Sequence, residues 1–272
     1  MDTTITLHRP DGASVHVQVR GDDGAPAIVL VHGFGGTSAD WDEVATVLVA
    51  SGHRTIAMDL RGHGRTTAGT DGYRHRALVE DLGAVVEAVG GPPPVVVGHS
   101  MGSAVVLGHL ATSGRASAAV LTAAVAAAPT SAGQRAAAGL LVSPIGTLLL
   151  RTPPVGRRLF AQMLHQPAPP GLAERLRLGI LSVPERKAVD RGIRGLDHRP
   201  RLPSITVPTV VAAGAEDRAT PVDSQRAIAD QLGAGRFETV PDAGHYTPLE
   251  APLAIAAIVR RAAEGAAAAD ST

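Results

Sequence analysis

The ten residues Val95-Val-Val-Gly-His-Ser-Met-Gly-Ser-Ala104 constrain the fold more than any other stretch of the chain. Three consecutive valines read as a strand buried on both faces. The run stops at Gly98, and a helical pattern begins near Met101. A chain that passes from buried strand to helix in so few residues must bend sharply, and Ser100 sits on that bend. A tight turn of this kind strains its central residue and lifts the side chain above the sheet. Side chains at Gly98 and Gly102 would crowd the bend, so glycine fits both places. The helix N-terminus beneath favours developing negative charge. The same pattern also suits a plain strand-to-helix turn whose serine caps the helix.

The rest of the chain decides between these readings. Residues 3–7 and 14–20 alternate polar and apolar side chains, as half-buried antiparallel strands do. Residues 27–33, 54–59, 94–98 and 118–124 read as buried strands. Helical patterns lie between them: 38–50 with Ser38 as N-cap, 75–89, and 101–112. Strands alternating with helices imply parallel βαβ units. From Pro129 to Ser204 the rhythm gives way to helical fragments broken by prolines, among them Pro144, Pro153, Pro167 and Pro184. It then resumes with a strand at 208–214, a helix at 224–232, a strand at 236–240 and a helix at 252–264, followed by a tail expected to fray. The middle segment therefore reads as a helical insertion in one α/β domain. It carries twelve basic and four acidic residues. That excess either solvates amphipathic helices or attracts an anionic substrate or membrane surface.

A serine hydroxyl needs a base to become a nucleophile, and the base needs a carboxylate to orient it. His245 lies in a loop between the last strand and the last helix, on the expected edge of the sheet. His8, His16, His53 and His75 read as exposed strand or turn residues, and His109 and His165 as helical. His99 should point away from Ser100. The loop after the strand at 208–214 offers Glu216 and Asp217; Asp217 is the choice, and Ser100, Asp217 and His245 then run in the order Ser…Asp…His. An oxyanion hole would use the N–H of Met101 and one from the glycine-rich loop after the third strand. Phe34 is the first candidate there and Gly35 the second. That loop lacks the Gly-Lys-Ser/Thr of a phosphate-binding P-loop.

The stretches HGFGG (32–36), DLRGHGRT (59–66), GHSMGS (98–103), GAEDRATP (214–221) and AGHYTPLE (243–250) resemble, in order, the signatures of the α/β-hydrolase superfamily. The resemblance implies an α/β fold with a mostly parallel eight-stranded sheet flanked by helices. It also implies a core of residues 1–128 and 205–272 and a helical cap over 129–204. Epoxide hydrolases and dehalogenases of this fold carry aspartate where Ser100 stands. Carbon–carbon hydrolases often have Asn and Trp where His99 and Tyr246 stand. GHSMG and AGHYTPLE are also similar to cofactor-free haloperoxidases, which are serine esterases with perhydrolase activity. The implied reaction is hydrolysis of a hydrophobic carboxylic ester, lactone or thioester by Ser100, Asp217 and His245. Gly33, Gly35, His99 and Tyr246 would touch the substrate. Carbon–carbon hydrolysis, perhydrolysis, a receptor role and biosynthetic acyl transfer stay open as alternatives. In such proteins DLRGHGRT is mostly a structural loop at the rim of the site.

Composition trims the other classes. Twenty-five basic and 25 acidic residues give zero net charge, which offers nucleic acid nothing. Cysteine is absent, which removes disulfides and thiolate metal sites. The polar N-terminus has no apolar core for a secretory signal, and no apolar run is long enough to span a bilayer. The expectation is a cytoplasmic enzyme with a small-molecule ester-like substrate, no cofactor, no metal and a homodimer as its assembly. The leucines at 140, 141, 148, 149, 150, 159 and 164 should mostly pack the insertion onto the core, with some facing the pocket.

Overall fold

The computed structural model describes residues 2–112, 114–128 and 132–270. The chain opens with strands β1 (Asp2–His8), β2 (Ser14–Arg20) and β3 (Ala27–Val31). A 3-10 turn at Ser38–Trp41 leads into α1 (Asp42–Ala50), then β4 (Arg54–Met58), α2 (His75–Val89), β5 (Val95–His99), α3 (Met101–Leu110) and β6 (Ala118–Thr122). Five helices follow: α4 (Ala132–Leu141), α5 (Pro144–Arg151), α6 (Pro153–Ala161), α7 (Leu172–Ser182) and α8 (Arg186–Ile193). After a second 3-10 turn come β7 (Thr209–Gly214), α9 (Val222–Gln231), β8 (Gly235–Val240), α10 (Thr247–Glu250) and α11 (Pro252–Asp270).

The eight strands form one sheet in the order β1-β2-β4-β3-β5-β6-β7-β8. β2 pairs antiparallel with β1 and β4, and the pairs from β4 to β8 are parallel. The central strands are buried on both faces, which explains their unbroken apolar runs. One face packs on α2, α3 and α9 through residues such as Leu78, Leu82, Val105 and Ile228. The other packs on α1 and α11 through Trp41, Leu48, Ile255 and Val259. Trp41 is fully buried there.

The excursion between β6 and β7 is pinned at its base. Ala127 and Asp197 form an antiparallel bridge, Ala128 N–H donates to Leu196 O (2.8 Å) and His198 N–H donates to Ala126 O (2.7 Å). Leu150, Phe160, Leu164, Leu172, Leu176 and Ile180 give these helices a small core shared with Tyr246. Leu140 and Leu148 face outward instead. Much of the basic excess is paired: Arg175 with Asp40, Arg177 with Glu174, Arg194 with Asp190 and Arg199 with Asp197.

Several sequence expectations need correction. The first helical pattern is two elements, and its N-cap is Thr37 rather than Ser38. The C-terminal helix continues to Asp270 instead of stopping near Glu264. Its alanine-rich end has high helix propensity, which outweighs the missing apolar stripe. His16 is buried, and His75 is half-buried with its Nε2 2.8 Å from that of His198. His165 lies outside any helix, past the end of α6.

The DLRGHGRT stretch is a clasp. Arg61 donates from Nε and Nη2 to Asp81 on α2 (2.6 and 2.9 Å) and from Nη1 to Asp11 in the β1–β2 turn (2.5 Å). Asp59 accepts the N–H of Ser38 (2.7 Å) and of Arg65 (2.9 Å). The guanidinium beside Asp11 holds its carboxyl down at about 2, against an ordinary 3.8. A carboxyl depressed by folding stabilises the fold above its unfolded value and stops doing so as pH falls through its folded one. Asp11→Asn should therefore unfold at a lower temperature than the parent at pH 6. The gap should close between pH 4 and pH 2 in a series of thermal melts.

Candidate active site

The carboxyl ends of β5, β7 and β8 deliver Ser100, Asp217 and His245 to one edge of the sheet. Ser100 stands between β5 and α3 with φ 51° and ψ −115°, a region non-glycine residues rarely adopt. Its N–H donates to Thr122 O (2.9 Å), and its carbonyl accepts from Ser103 Oγ (2.6 Å). Ser103 Oγ also accepts Val125 N–H (2.8 Å), so the small residue at 103 ties the elbow to the loop after β6. Gly98 and Gly102 are needed for space. A Cβ on Gly98 would lie 2.6 Å from Gly102 O, and one on Gly102 would strike the carbonyl oxygens of Val31 and His32.

His245 Nε2 is 3.1 Å from Ser100 Oγ, and its Nδ1 is 3.1 Å from each oxygen of Asp217. The ring is buried and so is the carboxylate. A carboxylate only accepts, so Nδ1 carries the proton and Nε2 presents a lone pair to the serine hydroxyl. Asp217 is fixed by the N–H groups of Ala219 (2.9 Å) and Thr220 (2.8 Å) and by Gln225 Nε2 (3.1 Å). Glu216, the other carboxylate of that loop, pairs with His165 instead (2.7 Å).

The loop after β3 passes beside the serine: a Cβ on Gly33 would lie 3.2 Å from Ser100 Cβ. Its N–H groups are not equivalent. Gly35 N–H donates to His63 Nε2 (3.0 Å) and Gly36 N–H donates to Gly33 O (3.1 Å). Gly35 is therefore corrected as a candidate oxyanion donor, because its N–H is already engaged. The N–H groups of Phe34 and Met101 have no acceptor among the described residues.

His99 does not simply point away from Ser100. Its Nε2–H donates to the His245 carbonyl (2.9 Å), and its ring lies 5.3 Å from that of His245. Burial, and then the neighbouring His245, push its pKa down to about 3, so it stays neutral. Gly33, Phe34, Gly35, His99 and Tyr246 line one small cavity with Gly36, Asp40, Leu176 and Ile180. Burial drives the Tyr246 hydroxyl pKa upward, so it keeps its proton. The apolar wall from the inserted helices is Leu176 and Ile180 on α7, not the leucines of α4 to α6 singled out in the sequence.

The model of the alpha/beta hydrolase family matches residues 28–258. The chain belongs to the α/β-hydrolase family. It is 29% identical over 251 residues to a candidate carbamate hydrolase of Variovorax paradoxus (strain S110), covering 85% of this chain and 89% of that one. It is 28% identical over 267 residues to a non-heme chloroperoxidase of Burkholderia pyrrocinia, covering 86% and 90%. An esterase from Exiguobacterium antarcticum has the same fold, with a TM-score of 0.84 at 20% identity over 96% of this chain and all of that one.

Two residues of this α/β hydrolase escaped sequence reasoning. Glu250 accepts the N–H of Gly244 (3.0 Å), Tyr246 (2.8 Å) and His165 (2.6 Å), so it holds the peptides on both sides of His245. Its place at the end of AGHYTPLE was the available signal. Gln225 is fully buried and spans from Asp217 to the Ala124 N–H (2.9 Å). Nothing in its helical surroundings marked it. Among the described residues, no three His, Cys, Asp or Glu side chains are grouped to hold a metal ion. No helix among them is long and apolar enough to cross a membrane.

The crowding at the elbow has a direct consequence. Gly102→Ala should lower stability by about 1–3 kcal/mol, the usual cost of overpacking. Denaturant titration of the variant against the parent checks this.

Proposed function

We propose that this α/β hydrolase is a serine hydrolase acting through an acyl-enzyme on Ser100. The observation that carries the reading is the position of His245, with Nε2 3.1 Å from Ser100 Oγ and Nδ1 against Asp217. Ser100 Oγ attacks the substrate carbonyl while its proton passes to His245 Nε2. Asp217 holds the tautomer and stabilises the imidazolium that forms. The Phe34 and Met101 N–H groups receive the oxyanion, and such a donor is worth ~3 kcal/mol. His245 then protonates the leaving alcohol or thiol. Water, deprotonated by His245, attacks the acyl carbon, and Ser100 regains its proton as the acid departs.

We take the substrate to be a hydrophobic carboxylic ester, lactone or thioester, from the surroundings of a small cavity beside the site that Ser100 itself does not line. Phe34, Leu176 and Ile180 supply apolar wall, while Asp40, His99 and Tyr246 give it a polar end. We read residues 129–204 as a cap on a core of 1–128 and 205–272, with α7 as the part that closes over the site; the first cap residues, 129–131, and the ends of the core, 1 and 271–272, lie outside the described residues. The similarity to a chloroperoxidase over most of both chains favours a second use of the same acyl-enzyme. Hydrogen peroxide in place of water would attack the acyl carbon, and a peroxy acid would leave.

Ser100→Ala should fold as the parent does and lose turnover of p-nitrophenyl acyl esters, by about 10⁴-fold or more in kcat. Turnover close to that of the parent would refute the serine mechanism. A parent that reacts with a fluorophosphonate yet turns over no ester, lactone or thioester would instead favour a receptor or acyl-transfer role.

A further inference from the structure

We infer that His63 is a positioning residue for this reaction: it holds the loop that offers the Phe34 N–H. The inference rests on the serine-hydrolase reading above. The hydrogen bonds of His63 go to Gly35 and Arg61 and its ring contacts to His32 and Phe34, none of them to Ser100, so its effect passes through the loop.

The loop is gripped at two successive peptides. A peptide unit is planar and trans, so its C=O and N–H point to opposite sides. The Gly33–Phe34 peptide has its carbonyl held by His32 Nδ1–H (2.7 Å) and by Gly36 N–H (3.1 Å), which aims the Phe34 N–H the other way. The next peptide is held from its opposite end, because Gly35 N–H donates to His63 Nε2 (3.0 Å). Gly35 has φ 78°, a conformation glycine visits freely but only as one of many, so the hydrogen bond to His63 helps to select it. The Phe34 ring meets His63 edge-on at 5.7 Å, and the rings of His32 and His63 lie 5.1 Å apart.

His63 is itself rigid. Its Nδ1–H donates to Arg61 O (3.1 Å), which leaves the Nε2 lone pair for Gly35. Arg61 is anchored in turn by Asp81 and Asp11. On the far side of the loop, α7 leaves no slack: a Cβ on Gly179 would lie 2.5 Å from Gly35 O, and one on Gly35 would strike Ile180. The loop is thus clamped between a histidine anchored in the core and a helix of the insertion. The rim motif DLRGHGRT reaches the chemistry through His63.

The test compares His63→Ala, His63→Gln and His63→Asn. Gln can place an acceptor where Nε2 stands, and Asn falls short of Gly35. Active sites are counted by fluorophosphonate labelling, and kcat and KM are measured for a p-nitrophenyl ester. Inhibition by a trifluoromethyl ketone, whose hemiketal needs the oxyanion donors, is measured alongside. Loss of a whole donor costs about 10²–10³ in kcat, so a displaced one should cost about 10- to 100-fold. We expect that loss in kcat per site for Ala and Asn, with KM changed less than about threefold on the same ground. Ketone affinity should fall in parallel, and Gln should recover most of both. Unchanged kcat per site, a loss confined to stability, or a Gln variant as impaired as Asn would overturn the role. If the Ala variant does not fold, the Gln–Asn comparison decides alone. Ser100→Ala is run beside them. Turnover surviving there would overturn the hydrolase reading itself, whereas turnover lost there and unchanged at position 63 would overturn only the role of His63.

Discussion

The strained backbone at Ser100 is the constraint on which the rest of the structure depends. A residue held at φ 51° and ψ −115° stores about 1–3 kcal/mol and persists only where its surroundings over-determine it. Here they do. β5 lies between β3 and β6 in the middle of the sheet, so the strand cannot yield. Thr122 and Ser103 hold both polar ends of the Ser100 backbone. Gly98 and Gly102 remove the two side chains that would forbid the bend, and the carbonyls of Val31 and His32 fill the space against Gly102. The elbow is as much a product of the neighbouring strand as of its own five residues.

Sheet topology explains why the other groups converge on it. After β3 the chain moves outward to β4, then returns to place β5 on the opposite side of β3. Loops leaving the carboxyl ends of β3 and β5 therefore diverge around a crevice, the usual ligand position in open α/β sheets. Phe34 arrives from one loop and Ser100 and Met101 from the other. β7 and β8 follow in order, and their loops bring Asp217 and His245. Three histidines beside this crevice hold backbone: His32 and His63 grip the loop after β3, and His99 holds the His245 carbonyl. Burial lowers the pKa of all three, with His63 and His99 each down to about 3. They stay neutral and their tautomers stay fixed.

Much of this was legible in the sequence because the relevant signals are local. The valine run and the glycines at 98 and 102 mark the bend within a few residues, although the carbonyls of Val31 and His32 that crowd Gly102 come from the end of a distant strand. Strand and helix positions in the core follow from periodicity, and the α2 bounds of 75 and 89 match the sequence reading. What stayed hidden depends on contacts between segments far apart in the chain. Glu250 looks like an ordinary loop glutamate at the end of AGHYTPLE until three backbone N–H groups are seen to converge on it. Gln225 lies 101 residues from the N–H it satisfies. Gly35 stood as the second candidate donor after Phe34, and nothing in the sequence showed that His63 takes its N–H. In the proline-broken segment, periodicity did not reveal that α7 would supply the cavity wall.

The most direct test of the central claim is to find where an electrophile bonds. The protein is treated with a fluorophosphonate, its intact mass is recorded, and the adduct is mapped by peptide sequencing. A single adduct on Ser100 is expected, forming rapidly in the parent and nearly abolished in His245→Ala. An adduct on another residue, or labelling of Ser100 at the parent rate without the imidazole, would contradict the claim.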